Sequence, residues 1–81
     1  MELLDWSYTR GYNVKAYFSK FPQSLVIFRQ IRDYYFVYQV KWSELDPVVT
    51  REDLEQMELM MNKELGLEAE YLKRKSRVQS M

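Results

Sequence analysis

The sequence predicts an α+β domain: a three- or four-stranded antiparallel β-meander, covered on one face by one long C-terminal α-helix. Two observations carry that expectation. Apolar residues alternate with polar ones up to about residue 43 and recur at helical spacing after Pro47. Twelve of the thirteen aromatic residues lie before residue 43, and only Tyr71 lies beyond it. At 81 residues the chain makes one small domain, because folding at this size buries only roughly 60% of the surface exposed by the unfolded chain. The β-rich part, residues 1–43, and the helical part, residues 50–79, are therefore expected to pack on each other within a single unit, 1–81.

The strands follow in order. Leu4, Trp6 and Tyr8 alternate with Asp5, Ser7 and Thr9, and the alternation resumes as Tyr12, Val14, Ala16 and Phe18, the period-2 signature of half-buried strands. Between them Thr9-Arg10-Gly11 reads as a three-residue hairpin loop with Gly in the left-handed position. A short helix over residues 13–21 is the rival, since Val14, Tyr17, Phe18 and Phe21 also share a helical face; the ring-rich composition and the Gly11 turn favour the strand. "SLVIFRQI" and "YYFVYQVKW" form a second hairpin around Arg32-Asp33. Pairing Ile31 with Tyr34 places Leu25, Ile27, Ile31, Tyr34, Phe36, Tyr38, Val40 and Trp42 on one face. This ring-rich set is expected to be the core beneath the helix. The other face then holds Val26, Phe28, Gln30, Tyr35, Val37, Gln39 and Lys41, an apolar island with a polar border, and a one-residue slip would exchange the two sets.

After Pro47, Thr50 followed by Asp53 resembles a capping box, and "REDLEQMELMMNKELGLEAEYLKRKSRV" carries acids in its first turn and bases in its last. Leu54, Met57, Met61, Leu65 and Leu72 fall on one helical stripe, with Met60, Leu67, Tyr71 and Val78 on an adjacent one. The stripe keeps its phase through Gly66, which predicts a continuous or kinked helix over two separate ones. Gly66 as a C-terminal cap is the alternative.

The absence of both Cys and His excludes disulfides, the usual zinc sites and nucleophilic Ser-His or Cys-His catalysis. The two glycines are too far apart to cradle a phosphate. Carboxylate pairs such as Glu52 with Glu55, or Glu64 with Glu68, have the spacing of any solvated acidic helix. No enzyme activity, catalytic residue, metal, cofactor or small-molecule substrate is expected. The N-terminus has no signal-peptide pattern and no apolar run approaches a membrane span. A soluble cytoplasmic protein without a membrane partner is the expectation.

Charge is uneven although the total is zero: six basic and three acidic groups over residues 1–43, two and nine over 44–70, four and none over 71–81. Two binding classes remain. A partner protein, or a second copy in a homodimer, would meet the uncovered island formed by Phe28, Tyr35 and Val37 with the bordering Gln39 and Lys41, together with Tyr71 on the projecting helix. The alternative is nucleic acid, held by Lys73, Arg74, Lys75 and Arg77 at the helix end and by the aromatic and basic sheet face. The acidic middle segment opposes that alternative if it lies beside the sheet. Small regulatory modules of this kind, acting by occupancy, suit the accessory proteins of phages or mobile elements.

Overall fold

The computed structural model describes the backbone of residues 1–79 and the side chains of residues 1–75. Four strands, β1 (Leu3–Tyr8), β2 (Val14–Phe18), β3 (Phe21–Ile31) and β4 (Tyr34–Lys41), form one antiparallel sheet in the order β1-β2-β3-β4. Two helices follow, α1 (Arg51–Glu64) and α2 (Glu68–Gln79). Thus the α+β meander with helical cover stands, with all four strands present, and residues 14–18 are strand. The single long helix does not.

Gly66 ends α1. It takes φ +76, a conformation open to Gly at little steric cost. Its N–H donates to the Lys63 carbonyl at 3.2 Å and the Leu67 N–H to the Asn62 carbonyl at 2.7 Å. These are the two reverse bonds of a Schellman motif. The conserved phase of the apolar stripe was compatible with either outcome; the left-handed Gly decides it. At the other end of α1 the expected capping box is complete, with Asp53 N–H donating to Thr50 Oγ1 at 3.2 Å and Thr50 N–H to Asp53 Oδ2 at 2.9 Å.

The first hairpin loop is longer than three residues. Tyr8 pairs with Val14, and a single 3-10 turn over Arg10–Tyr12 fills the gap, with Gly11 and Tyr12 both at positive φ. Tyr12 belongs to this turn instead of continuing the alternation, and it is largely exposed. In the second hairpin Arg32 takes positive φ at 54°, and its carbonyl accepts the Gln30 side-chain amide.

The core lies on one side of the sheet, between it and α1. Val14, Ala16 and Phe18 from β2, Phe21, Val26 and Phe28 from β3, and Tyr35 from β4 are buried there with Met57 and Met61. Cross-strand pairing explains the grouping: Val14 stands opposite Phe28 and Ala16 opposite Val26, so the buried set of β2 fixes the buried set of β3. The Met stripe is therefore core, as the need to cover a sheet implies. This inner face corrects the face assignment. Phe28, Tyr35 and Val37 lie under the helix, whereas Leu25, Ile27, Ile31, Tyr34, Phe36 and Tyr38 lie on or border the opposite, outer face. The predicted register holds for the four pairs from Ile31↔Tyr34 to Phe28↔Val37, and then a bulge at Tyr38 shifts it by one residue. Beyond the bulge Val40 returns inward, and Gln39 and Lys41 pair with Ile27 and Leu25 on the outer face.

Candidate binding face

Alternation along each strand assembles the outer face. Lys15 and Tyr17 come from β2, between the buried Val14, Ala16 and Phe18; Leu25, Ile27, Arg29 and Ile31 come from β3; Tyr38, Gln39 and Lys41 come from β4. Tyr17, Ile31 and Tyr38 are 37%, 43% and 50% exposed, while Leu25 and Ile27 are half-buried between them. Tyr38 faces outward in alternation with Tyr34 and Phe36, and the Arg29 guanidinium lies over its ring at 3.7 Å, a cation–π contact that leaves the guanidinium edge free to donate. The face is thus an apolar centre edged by Lys15, Arg29 and Lys41, with Asp5 on β1 as its carboxylate.

The helices stand behind this face and seal one of its edges. Among the described residues no strand pairs with the far side of β4, where α1 side chains take the Tyr35 N–H and carbonyl and the Val37 N–H. Asn62 accepts from the Tyr35 N–H at 2.8 Å and donates to the Tyr35 carbonyl at 2.8 Å, so that one side-chain amide imitates a further strand. Glu58 accepts from the Val37 N–H at 2.9 Å and, through its other oxygen, from the Tyr71 hydroxyl at 3.0 Å. Such capping blocks pairing with another chain at this edge. Burial, and next the neighbouring Glu58 carboxylate, push the Tyr71 hydroxyl well above the usual tyrosine range; Tyr71 stays neutral and serves as a donor. Burial likewise raises Tyr35, whose hydroxyl donates to the Tyr12 carbonyl at 2.8 Å.

Past that sealed edge, α2 brings the basic helix end alongside the sheet. Tyr34 packs against Tyr71 with ring centroids 5.9 Å apart. A shallow cleft there is lined by Arg32, Asp33, Tyr34, Glu70, Lys73 and Arg74. Lys75 turns the other way, pairing with Glu55 at 3.3 Å and lying near the Tyr71 ring. Glu55 is also paired with Arg51. Of the candidate carboxylates, none gathers into a group of three acidic side chains among the described residues.

The residues singled out in the sequence therefore separate. Phe28, Tyr35 and Tyr71 are buried and Val37 is packed against the core, so these four build the scaffold and do not form an open island. Gln39 and Lys41 are exposed on the outer face. Lys73 and Arg74 are exposed and border it across Tyr34, and the Arg77 and Val78 side chains lie outside the described residues. Tyr17, Leu25, Ile27, Arg29 and Tyr38 were not singled out as site residues. The signal for them was in β2, where Lys15 and Tyr17 alternate with the uncharged Val14, Ala16 and Phe18 and so mark the side away from the core.

A family model described as "Uncharacterised protein YuzH" matches residues 2–76. The chain belongs to this family. No curated protein matches it, and no solved structure does. No helix among the described residues is long and apolar enough to cross a membrane.

Proposed function

We propose that the protein is a small non-enzymatic binding and regulatory module that works by occupancy, engaging a macromolecular partner through the outer sheet face. The observation that carries this reading is the exposure of Tyr17, Ile31 and Tyr38 around Leu25 and Ile27 on the face opposite the core packed against α1. A sheet with one sealed face and one open apolar face has unspent binding area. The apolar centre suits a partner protein or a second copy of the chain. A second reading, nucleic acid, is favoured by Lys15, Arg29 and Lys41 standing among the rings, and by the position of the acidic helix α1 on the opposite side of the sheet, where the objection raised by its charge loses force.

Residue-resolved oxidative footprinting tests the face itself. Tyr17 and Tyr38 should be labelled in the purified protein and protected in a lysate of the source cell, while Tyr12, 77% exposed on the first hairpin turn, is labelled equally in both. Equal labelling of Tyr17 and Tyr38 in buffer and lysate would contradict the proposal.

A further inference from the structure

Resting on the outer-face reading, we infer that the occupant is a single-stranded nucleic acid, its bases stacked on Tyr17 and on the Arg29–Tyr38 pair and its phosphates held by a cation track that runs from Lys15, Arg29 and Lys41 across Tyr34 to Lys73 and Arg74. Charge distribution is the first argument. Face and adjoining cleft together hold six cations, namely these five and Arg32, against the three carboxylates of Asp5, Asp33 and Glu70. That leaves six cations against nine carboxylates for the rest of a chain with no net charge. The open side is the more positive one, with Glu55 and Glu58 at its helix border beyond Tyr34, and it attracts a polyanion. Two copies apposed through this side would repel each other.

Ring placement is the second. Tyr17 and Tyr38 sit on β2 and β4, two strands apart and thus about 10 Å across the sheet; Tyr17 is exposed, and over the Tyr38 ring lies the Arg29 guanidinium, whose planar face is what a base meets there. Exposed rings on a basic sheet bind any base through its π-face. An acidic peptide could satisfy the cations, but its carboxylate side chains offer no aromatic faces for the rings. A duplex hides its base faces, so only a single strand uses both features. Continuity is the third: the basic helix end and the sheet face are separate in sequence, and Tyr34 joins them at the β4 edge.

The test is fluorescence anisotropy of labelled 12-nucleotide oligo-dT and oligo-rU with the full chain. Five phosphate contacts predict a log–log salt slope of about −3.5, so binding should weaken about 3,000-fold between 20 and 200 mM salt. Arg29→Glu and Lys41→Ala should weaken binding and flatten the slope. Tyr38→Ala should cost about 5-fold or more, the equivalent of one lost stacking contact. Lys63→Glu, on the helix side, should change affinity less than about 2-fold. Far-UV circular dichroism confirms that each variant is folded. Absent binding at 20 mM salt, a duplex bound as tightly as the single strand, or displacement by poly-glutamate as effective as by oligonucleotide each overturns the inference. Nuclease treatment of the lysate separates the two proposals: lost footprint protection supports nucleic acid, and persisting protection overturns it while leaving the outer-face reading in place. If no protection was present before nuclease, both fail.

Discussion

The two faces of the sheet are built from the same strands, and adjacent residues take opposite fates. On β2, Phe18 is wholly buried while Tyr17 is 37% exposed; on β3, Phe28 is wholly buried while Ile27 beside it is half-buried on the open side. The inner face is closed by Met57 and Met61 and held by directed contacts from α1. The outer face also has an apolar centre, set among Lys15, Arg29 and Lys41, and its Tyr17, Ile31 and Tyr38 stay exposed. Hydrophobicity alone does not separate a core from an open surface in so small a chain. What separates them is whether a second element arrives with side chains that complete the backbone's hydrogen bonds, as Asn62 and Glu58 do for β4.

Substitutions on neighbouring residues break this comparison most strongly. Phe18→Ala should lower stability by about 3–5 kcal/mol in urea unfolding, a large part of the roughly 4–12 kcal/mol available to a domain of this length. Tyr17→Ala, one residue away, should cost about 1 kcal/mol or less. Equal losses would mean that the two faces are equally closed.

Next comes the edge. Asn62→Leu keeps the branched shape of the side chain but strands the Tyr35 N–H and carbonyl, at a cost of about 2 kcal/mol. It also uncovers the β4 edge, so light scattering should report concentration-dependent association absent from the parent protein. A variant that stays monomeric with unchanged stability would show that α1 covers β4 without sealing it.

Smaller still is the contribution of Asp53, where the helical part is clamped to Lys20 in the turn between β2 and β3. Its carboxylate accepts from Lys20 Nζ at 2.8 Å, and this bond, partly offset by burial, holds its pKa below the ordinary carboxylate value. A carboxyl depressed in the folded state stabilises fully above its unfolded value, about 3.9, and loses that stabilisation as pH falls through the lower folded value. The parent should therefore lose more stability than Asp53→Asn between pH 5 and the acid limit. Parallel pH profiles would remove Asp53 from the acid response.

Much of this was legible in the sequence, and the failures are specific. The strands, the period change after Pro47, the Thr50–Asp53 box and the Met stripe are local patterns that tertiary packing reinforces. The pairing Ile31↔Tyr34 was legible as well, because a short turn leaves little choice. Which face the helix covers was not, since Leu25-Ile27-Tyr34-Phe36 and Val26-Phe28-Tyr35-Val37 are both apolar and period 2 groups residues without saying inward or outward. The answer lay across strands, in Val14↔Phe28 and Ala16↔Val26, contacts that alternation along a single strand cannot supply. The Tyr38 bulge and the capping of β4 by Asn62 and Glu58 are likewise long-range. Gly66 was ambiguous because a broken helix and a straight one present the same stripe up to the break.

One paired measurement goes to the centre of the account: urea unfolding of Phe28→Glu and Ile27→Glu, with circular dichroism of both. Phe28→Glu forces an unpaired carboxylate into the core and should leave the protein unfolded or nearly so. Ile27→Glu places the same charge on the open face, and should leave a folded domain destabilised by about 1–2 kcal/mol with oligonucleotide binding weakened. A folded Phe28→Glu beside an unfolded Ile27→Glu would mean that the helix covers the other face.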